Sequence, residues 1–169
     1  MKNKTRDLTL SGLIVAGAVV LPMIFHMFSM GGQIFLPMHI PVLLGSFFIN
    51  PVFALLAGLL SPLLSSVMTG MPPIFPIGLL MMIELSLYGF FVSFFNQRKI
   101  NVFVTLILAM IIGRLGASLG AFVLSIGFSV KINALIYLKT GIITGIPGII
   151  IQIILIPLLI KFLGAHIRR

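Results

Sequence analysis

Apolar residues along the chain come in long blocks, separated by short clusters of Pro, Gly, Asn and charge. Blocks of this length without strict alternation predict helices rather than barrel strands. The punctuation predicts six helices, about Leu8–Met27, Ile40–Ile49, Pro51–Met68, Pro76–Phe95, Val102–Phe128 and Ile136–Phe162. The first is long enough to cross about 30 Å of hydrocarbon. The second is short for a full crossing, so its start is expected inside the Phe35–Pro41 segment.

Composition makes lipid the solvent. The 169 residues are 60% hydrophobic and 8% charged, more apolar surface than a soluble domain of this length can hide. In lipid the backbone must satisfy itself within each segment. The expected fold is therefore all-α: a polytopic membrane protein of six transmembrane helices, residues 1–169 forming a single membrane domain. The start, "MKNKTRDLTLSGLIVAGAVVLPMIF", imitates a signal peptide. Ala16-Gly17-Ala18 lies inside the apolar run rather than at its polar end, so the segment reads as a retained first helix.

Charge then sets orientation. The net charge of +9 gathers at segment ends and shows no basic stripe with interleaved aromatics, which disfavours nucleic acid. Lys2, Lys4 and Arg6, then Arg98 and Lys99, then Lys161, Arg168 and Arg169 fall on one side if the helices between them are even in number. The positive-inside rule makes that side, with both termini, cytoplasmic. Lys131 and Lys139 fall on the other side and do not outweigh them. The outer connections are then Phe28–His39, Thr69–Phe75 and about Ser129–Leu135. The location is a multi-pass, bacterial-type plasma membrane.

Ionisable residues inside the membrane are expensive and invite a functional reading. Glu84 in "MMIELSLYG" and Arg114 in "IIGRLGASLG" differ in depth by less than about 10 Å at ~1.5 Å per residue. Two readings stay open: a structural ion pair, or the polar floor of a pocket with Arg114 meeting an anionic group. Gln152 falls at similar depth. The stretch "FHMFSMGGQIFLPMHIP", Phe25–Pro41, adds Gln33 and His39 at the outer side. Tyr88, Asn133 and Lys139 complete the candidate substrate contacts. "TGMPPIFP", Thr69–Pro76, must be a stiff extended turn at Pro72-Pro73. In "TGIITGIPGIIIQ", Thr140–Gln152, Pro147 is expected to kink or break the last helix, and a break would present backbone groups. Gly113, Gly116, Ala117 and Gly120 predict close helix packing, and Gly12 and Ala16 a small face on the first helix.

Enzymatic chemistry is disfavoured. There are no cysteines, no Gly-x-Ser-x-Gly elbow and no His-Glu-x-x-His. His26 and His39 lack a recognised ligand spacing, so no metal or cofactor is expected.

The order "FLPMHIPVLLGSFF", "NPVFALLAGLLSPLLSS", "TGMPP", "ELSLYG" and "TGIPGIIIQ" resembles the substrate-binding S components of energy-coupling factor (ECF) vitamin transporters. The resemblance covers nearly the whole chain and rests on order and spacing. It implies a small vitamin or precursor bound at the outer side, with niacin-like as the guess. It also implies a T-type membrane subunit, contacted through Gly12, Ala16 and Ala18, and two cytoplasmic ATPases. The contrasting reading is a self-sufficient channel or secondary carrier that permeates ligand through the Glu84–Arg114 region without ATPases.

Overall fold

The computed structural model describes residues 4–27, 32–128, 130 and 132–167, with side chains of 26–27, 32–33 and 164–167 outside the description. Everything regular in it is helical: α1 Lys4–Met27, α2 Gly32–Phe35, α3 His39–Ser46, α4 Pro51–Thr69, α5 Leu79–Gln97, α6 Val102–Gly127 and α7 Ala134–Ile167. Among the described residues five spans are long and apolar enough to cross a membrane; the third, Ile74–Gln97, is α5 with a preceding wide turn. The expected second helix is α3, only eight residues long, or about 12 Å. Its first residue, His39, lies inside Phe35–Pro41, as its shortness required.

Local chemistry explains the boundaries. Asn50 caps α4, its Oδ1 accepting from the Val52 N–H at 3.2 Å, with Pro51 in the first turn, where a missing N–H costs nothing. The same helix ends at Gly70, whose φ of 74° is left-handed and suits a residue without a Cβ. Asn101 caps α6 by accepting from the Phe103 N–H at 2.9 Å. The Thr69–Pro76 stretch leaves α4 as an extended turn. Ser65 Oγ donates to the Met71 carbonyl at 2.7 Å and Ser66 Oγ to that of Pro72. A wide turn over Ile74–Gly78, with Phe75 extended and the Gly78 N–H donating to the Pro73 carbonyl at 2.8 Å, then leads into α5.

α5 is the centre of the bundle, packed against α3, α4 and α6. Gly58 of α4 lies directly on the Leu85–Ser86 backbone of α5, where a Cβ would overlap it. Close approach through small residues is how helices gain contact when lipid gives no hydrophobic push. One core cluster joins α1, α3, α4 and α5 through Ile14, Ala18, Val42, Ala54 and Leu85. A second joins α3, α5, α6 and α7 through Leu43, Tyr88, Val92, Leu106 and Ile156. Outward positions stay apolar, among them Leu13, Val67, Leu119, Ile126 and Ile154, as a lipid-facing surface requires.

At one end of the bundle the α3–α4 turn is held from two sides. Asp7 Oδ2 accepts from the Asn50 N–H at 3.2 Å, and Asn96 Nδ2 donates to the Phe47 carbonyl at 2.7 Å. Ser93 Oγ donates to the Ile49 carbonyl. This end carries Lys4, Arg6, Arg98 and Lys99. The opposite end holds Gly70–Gly78 and the α6–α7 connection.

Candidate functional site

Glu84 lies one and a half turns into α5 and is 2% exposed. Three side chains converge on its Oε1. The Tyr88 hydroxyl, one turn along the same helix, donates to it at 2.7 Å. Arg114 Nε of α6 stands 3.1 Å away and His39 Nε2 of α3 3.6 Å away. Three different helices thus supply the cluster, and α3 contributes through its first residue. The Tyr88 ring meets the His39 ring edge-on at 5.6 Å. It also fills the space over Gly113 of α6, where a Cβ would collide with it.

The cluster is not saturated. At 3.6 Å the histidine contact is too long for a hydrogen bond, and both His39 nitrogens lack a partner. Arg114 Nε is close enough to Glu84 for an ion pair, yet its N–H is not aimed at the oxygen and makes no hydrogen bond; Nη2 has no partner either. Buried hydrogen-bonding atoms are almost always matched in folded proteins. Here several unmatched ones gather around one carboxylate in an apolar interior.

α7 forms the wall behind the guanidinium. Gly141, Gly145, Gly148 and Gln152 recur at helical spacing and share one face. A Cβ at Gly141 would collide with Arg114 Nη1, and one at Gly145 would come 3.3 Å from Nη2. At Gly148 a Cβ would stand 2.8 Å from the Ile34 carbonyl oxygen and the Phe35 backbone of α2. Gln152, 1% exposed, donates from Nε2 to the Leu36 carbonyl at 3.3 Å. That carbonyl also accepts from the His39 N–H at 3.1 Å. Leu36 itself has a φ of 49°, uncommon for a residue with a Cβ. The bend that delivers His39 to Glu84 is therefore a strained backbone turn seated on the glycine face of α7.

The structure thus brings together His39, Glu84, Tyr88 and Arg114, with Gln152 one layer behind. The side chain of Gln33 lies outside the described residues, as does that of His26. Asn133 and Lys139 are exposed. Asn133 caps α7, its Oδ1 accepting from the N–H groups of Leu135 and Ile136 at 2.9 and 3.1 Å. Gly12, Ala16 and Ala18 do not share a face: Gly12 and Ala16 are exposed, whereas Ala18 is fully buried in the core. Two residues apart on a helix means nearly opposite sides. Pro147 does not break α7, which continues from Ala134 to Ile167. It sits on the exposed side, away from the cluster.

Sequence reading missed Leu36, Gly141 and Gly148. The signal for the glycines was present as a small-residue stripe ending at Gln152; the conformation of Leu36 has no signal in its side chain. A cavity of about 570 Å³ opens at the basic end between α1, α3 and α7, lined by Leu10, Ile14, Leu44, Phe48 and Leu163 with Arg6. It is apolar and holds none of the cluster residues.

Among the described residues no group of three or more His, Asp or Glu side chains stands together to hold a metal. The cluster presents an acidic acceptor, cationic and imidazole donors, and aromatic edges. No curated protein and no solved structure matches the chain. The family model described as "ECF transporter, substrate-specific component" matches residues 6–160. The chain therefore belongs to the substrate-specific components of ECF transporters, membrane subunits that bind a small-molecule substrate and partner a T component and ATPases.

Proposed function

We propose that the chain captures a small vitamin or vitamin precursor, with a niacin-like molecule as the working candidate, in the His39–Glu84–Tyr88–Arg114 cluster. The observation that carries this reading is the set of unmatched donors on Arg114 and His39 beside a buried carboxylate. A purely structural clamp gains most when every buried polar atom is paired. A ligand site keeps some of that capacity for its ligand. Gln33 joins the site on the sequence argument alone.

Capture takes place from the extracellular side. The positions of Lys4, Arg6, Arg98 and Lys99 at one end of the bundle support a cytoplasmic assignment for that end and for both termini. The opposite end, with the Gly70–Gly78 turn, is then the entrance. The exposed small residues Gly12 and Ala16 of α1 are the face for the T-type subunit, and two cytoplasmic ATPases supply the energy. Calorimetry on the purified full chain against a vitamin panel tests the reading. Saturable binding of one member, lost in a variant of the cluster that still folds, is expected. Absence of binding to every member contradicts it, and sustained ligand flux by the chain alone in liposomes would favour a self-sufficient carrier.

A further inference from the structure

The charges inside the bundle can be counted. Among the described residues the buried ionisable acids and bases with a fixed charge are Asp7, Glu84 and Arg114. Asp7 is spent at the basic end on the Asn50 N–H. Lys139, the nearest lysine along α7, is exposed. Inside the cluster one carboxylate therefore faces one guanidinium at 3.1 Å, and the pair is balanced. His39 adds hydrogen-bonding capacity.

We infer, resting on the reading of this cluster as the ligand site, that its ligand is net neutral and carries both a donor and an acceptor. The donor faces Glu84 and the acceptor faces Arg114 and His39. The contacts of all three side chains with Glu84 are made at Oε1, and among the described residues no group donates a hydrogen bond to Oε2. That oxygen is the acceptor left for a ligand N–H or O–H. Arg114 Nη2 and one His39 nitrogen are the donors left for a ligand oxygen or ring nitrogen. An anion placed on Arg114 would set two negative groups against one positive group in an apolar interior, where unpaired charge is most costly. A cation on Glu84 would strand Arg114 in the same way. A neutral ligand with both kinds of group completes every partnership and adds no charge. This refines the carboxylate suggested by Arg114 alone: the guanidinium's charge is already committed to Glu84, and what it has to give is a hydrogen bond.

Calorimetry on the purified full chain tests this with probes that share a skeleton and differ in charge. Nicotinamide is set against nicotinate, with pyridoxine as a second neutral probe and pantothenate as a second anion. A neutral probe binding at least about tenfold more tightly than the anions supports the inference, an effect of the size expected for one well-placed or one stranded buried group. Tighter binding of nicotinate or pantothenate overturns it while leaving the vitamin-site reading intact. No binding by any of the four overturns both. Glu84→Gln gives an independent sign. It should weaken a neutral binder about tenfold by losing the charged acceptor and, by leaving Arg114 uncompensated, should strengthen an anion; a neutral binder unaffected by Glu84→Gln overturns the proposal. The wild-type comparison of the paired probes needs no variant to fold.

Discussion

Two polar regions of this bundle differ in how completely their groups are matched. At the basic end, Asp7, Asn50, Ser93 and Asn96 tie the α3–α4 turn to α1 and α5, and each reaches a backbone partner. In the middle, His39, Glu84, Tyr88 and Arg114 meet around one oxygen, and His39 and Arg114 keep donors unmatched. The first region is closed and accounts for itself as structure. The second is open, and its unmet capacity is what a substrate-binding subunit needs. Both regions hold buried polar groups, Asp7 and Ser93 in the first and all four residues in the second, and completeness of pairing is the difference that bears on function.

Breaking the open region should produce the largest effect. Arg114→Ala leaves Glu84 buried without its ion pair and should cost about 3–5 kcal/mol of stability. The double variant Glu84→Gln/Arg114→Met removes both charges and should recover most of that loss, as neutral replacements of buried pairs often do. Binding should remain at least about a hundredfold weaker in the double variant, since both the charged acceptor and the guanidinium donor are gone. Thermal unfolding and calorimetry on the same preparations check the two halves. Binding restored together with stability would make the pair a clamp.

Gly148→Ala should rank next. Its Cβ meets the backbone of α2 rather than a flexible side chain, so α2 or α7 must shift, at about 1–3 kcal/mol. Because the Leu36 bend is seated there, ligand affinity should fall along with the melting temperature. Asp7→Ala, in the closed region, should cost about 1–2 kcal/mol through the stranded Asn50 N–H while leaving affinity unchanged. A parallel loss of binding would erase the contrast between the regions. The smallest effects belong to the exposed positions of α7. Asn133→Ala should cost about 0.5–1 kcal/mol as a lost cap, and Lys139→Ala should change neither stability nor affinity measurably.

The long helices were legible because their ends carry local chemistry. Asn50-Pro51 and Asn101 start α4 and α6, and Gly70 stops α4, whatever the rest of the chain does. Glu84 and Arg114 were legible for a related reason: a charge inside an apolar block stands out, and depth alone brings the two within reach. What the pattern did not disclose depends on tertiary seating. α2 is four residues long, too short for any periodicity. The left-handed turn at Leu36 is held by Gln152, distant along the chain. Ala18 looked like Gly12 and Ala16 because all three are small, but its helical phase points it into the core. Pro147 was expected to kink or break α7 because its position along the helix was visible and its outward orientation was not.

The most direct test of the central claim is a structure of the chain with its substrate bound. The account predicts ligand atoms within hydrogen-bond distance of Arg114 Nη2 and a His39 nitrogen, with a ligand donor on Glu84. A ligand seated elsewhere, with His39 and Arg114 still unpartnered, would contradict it.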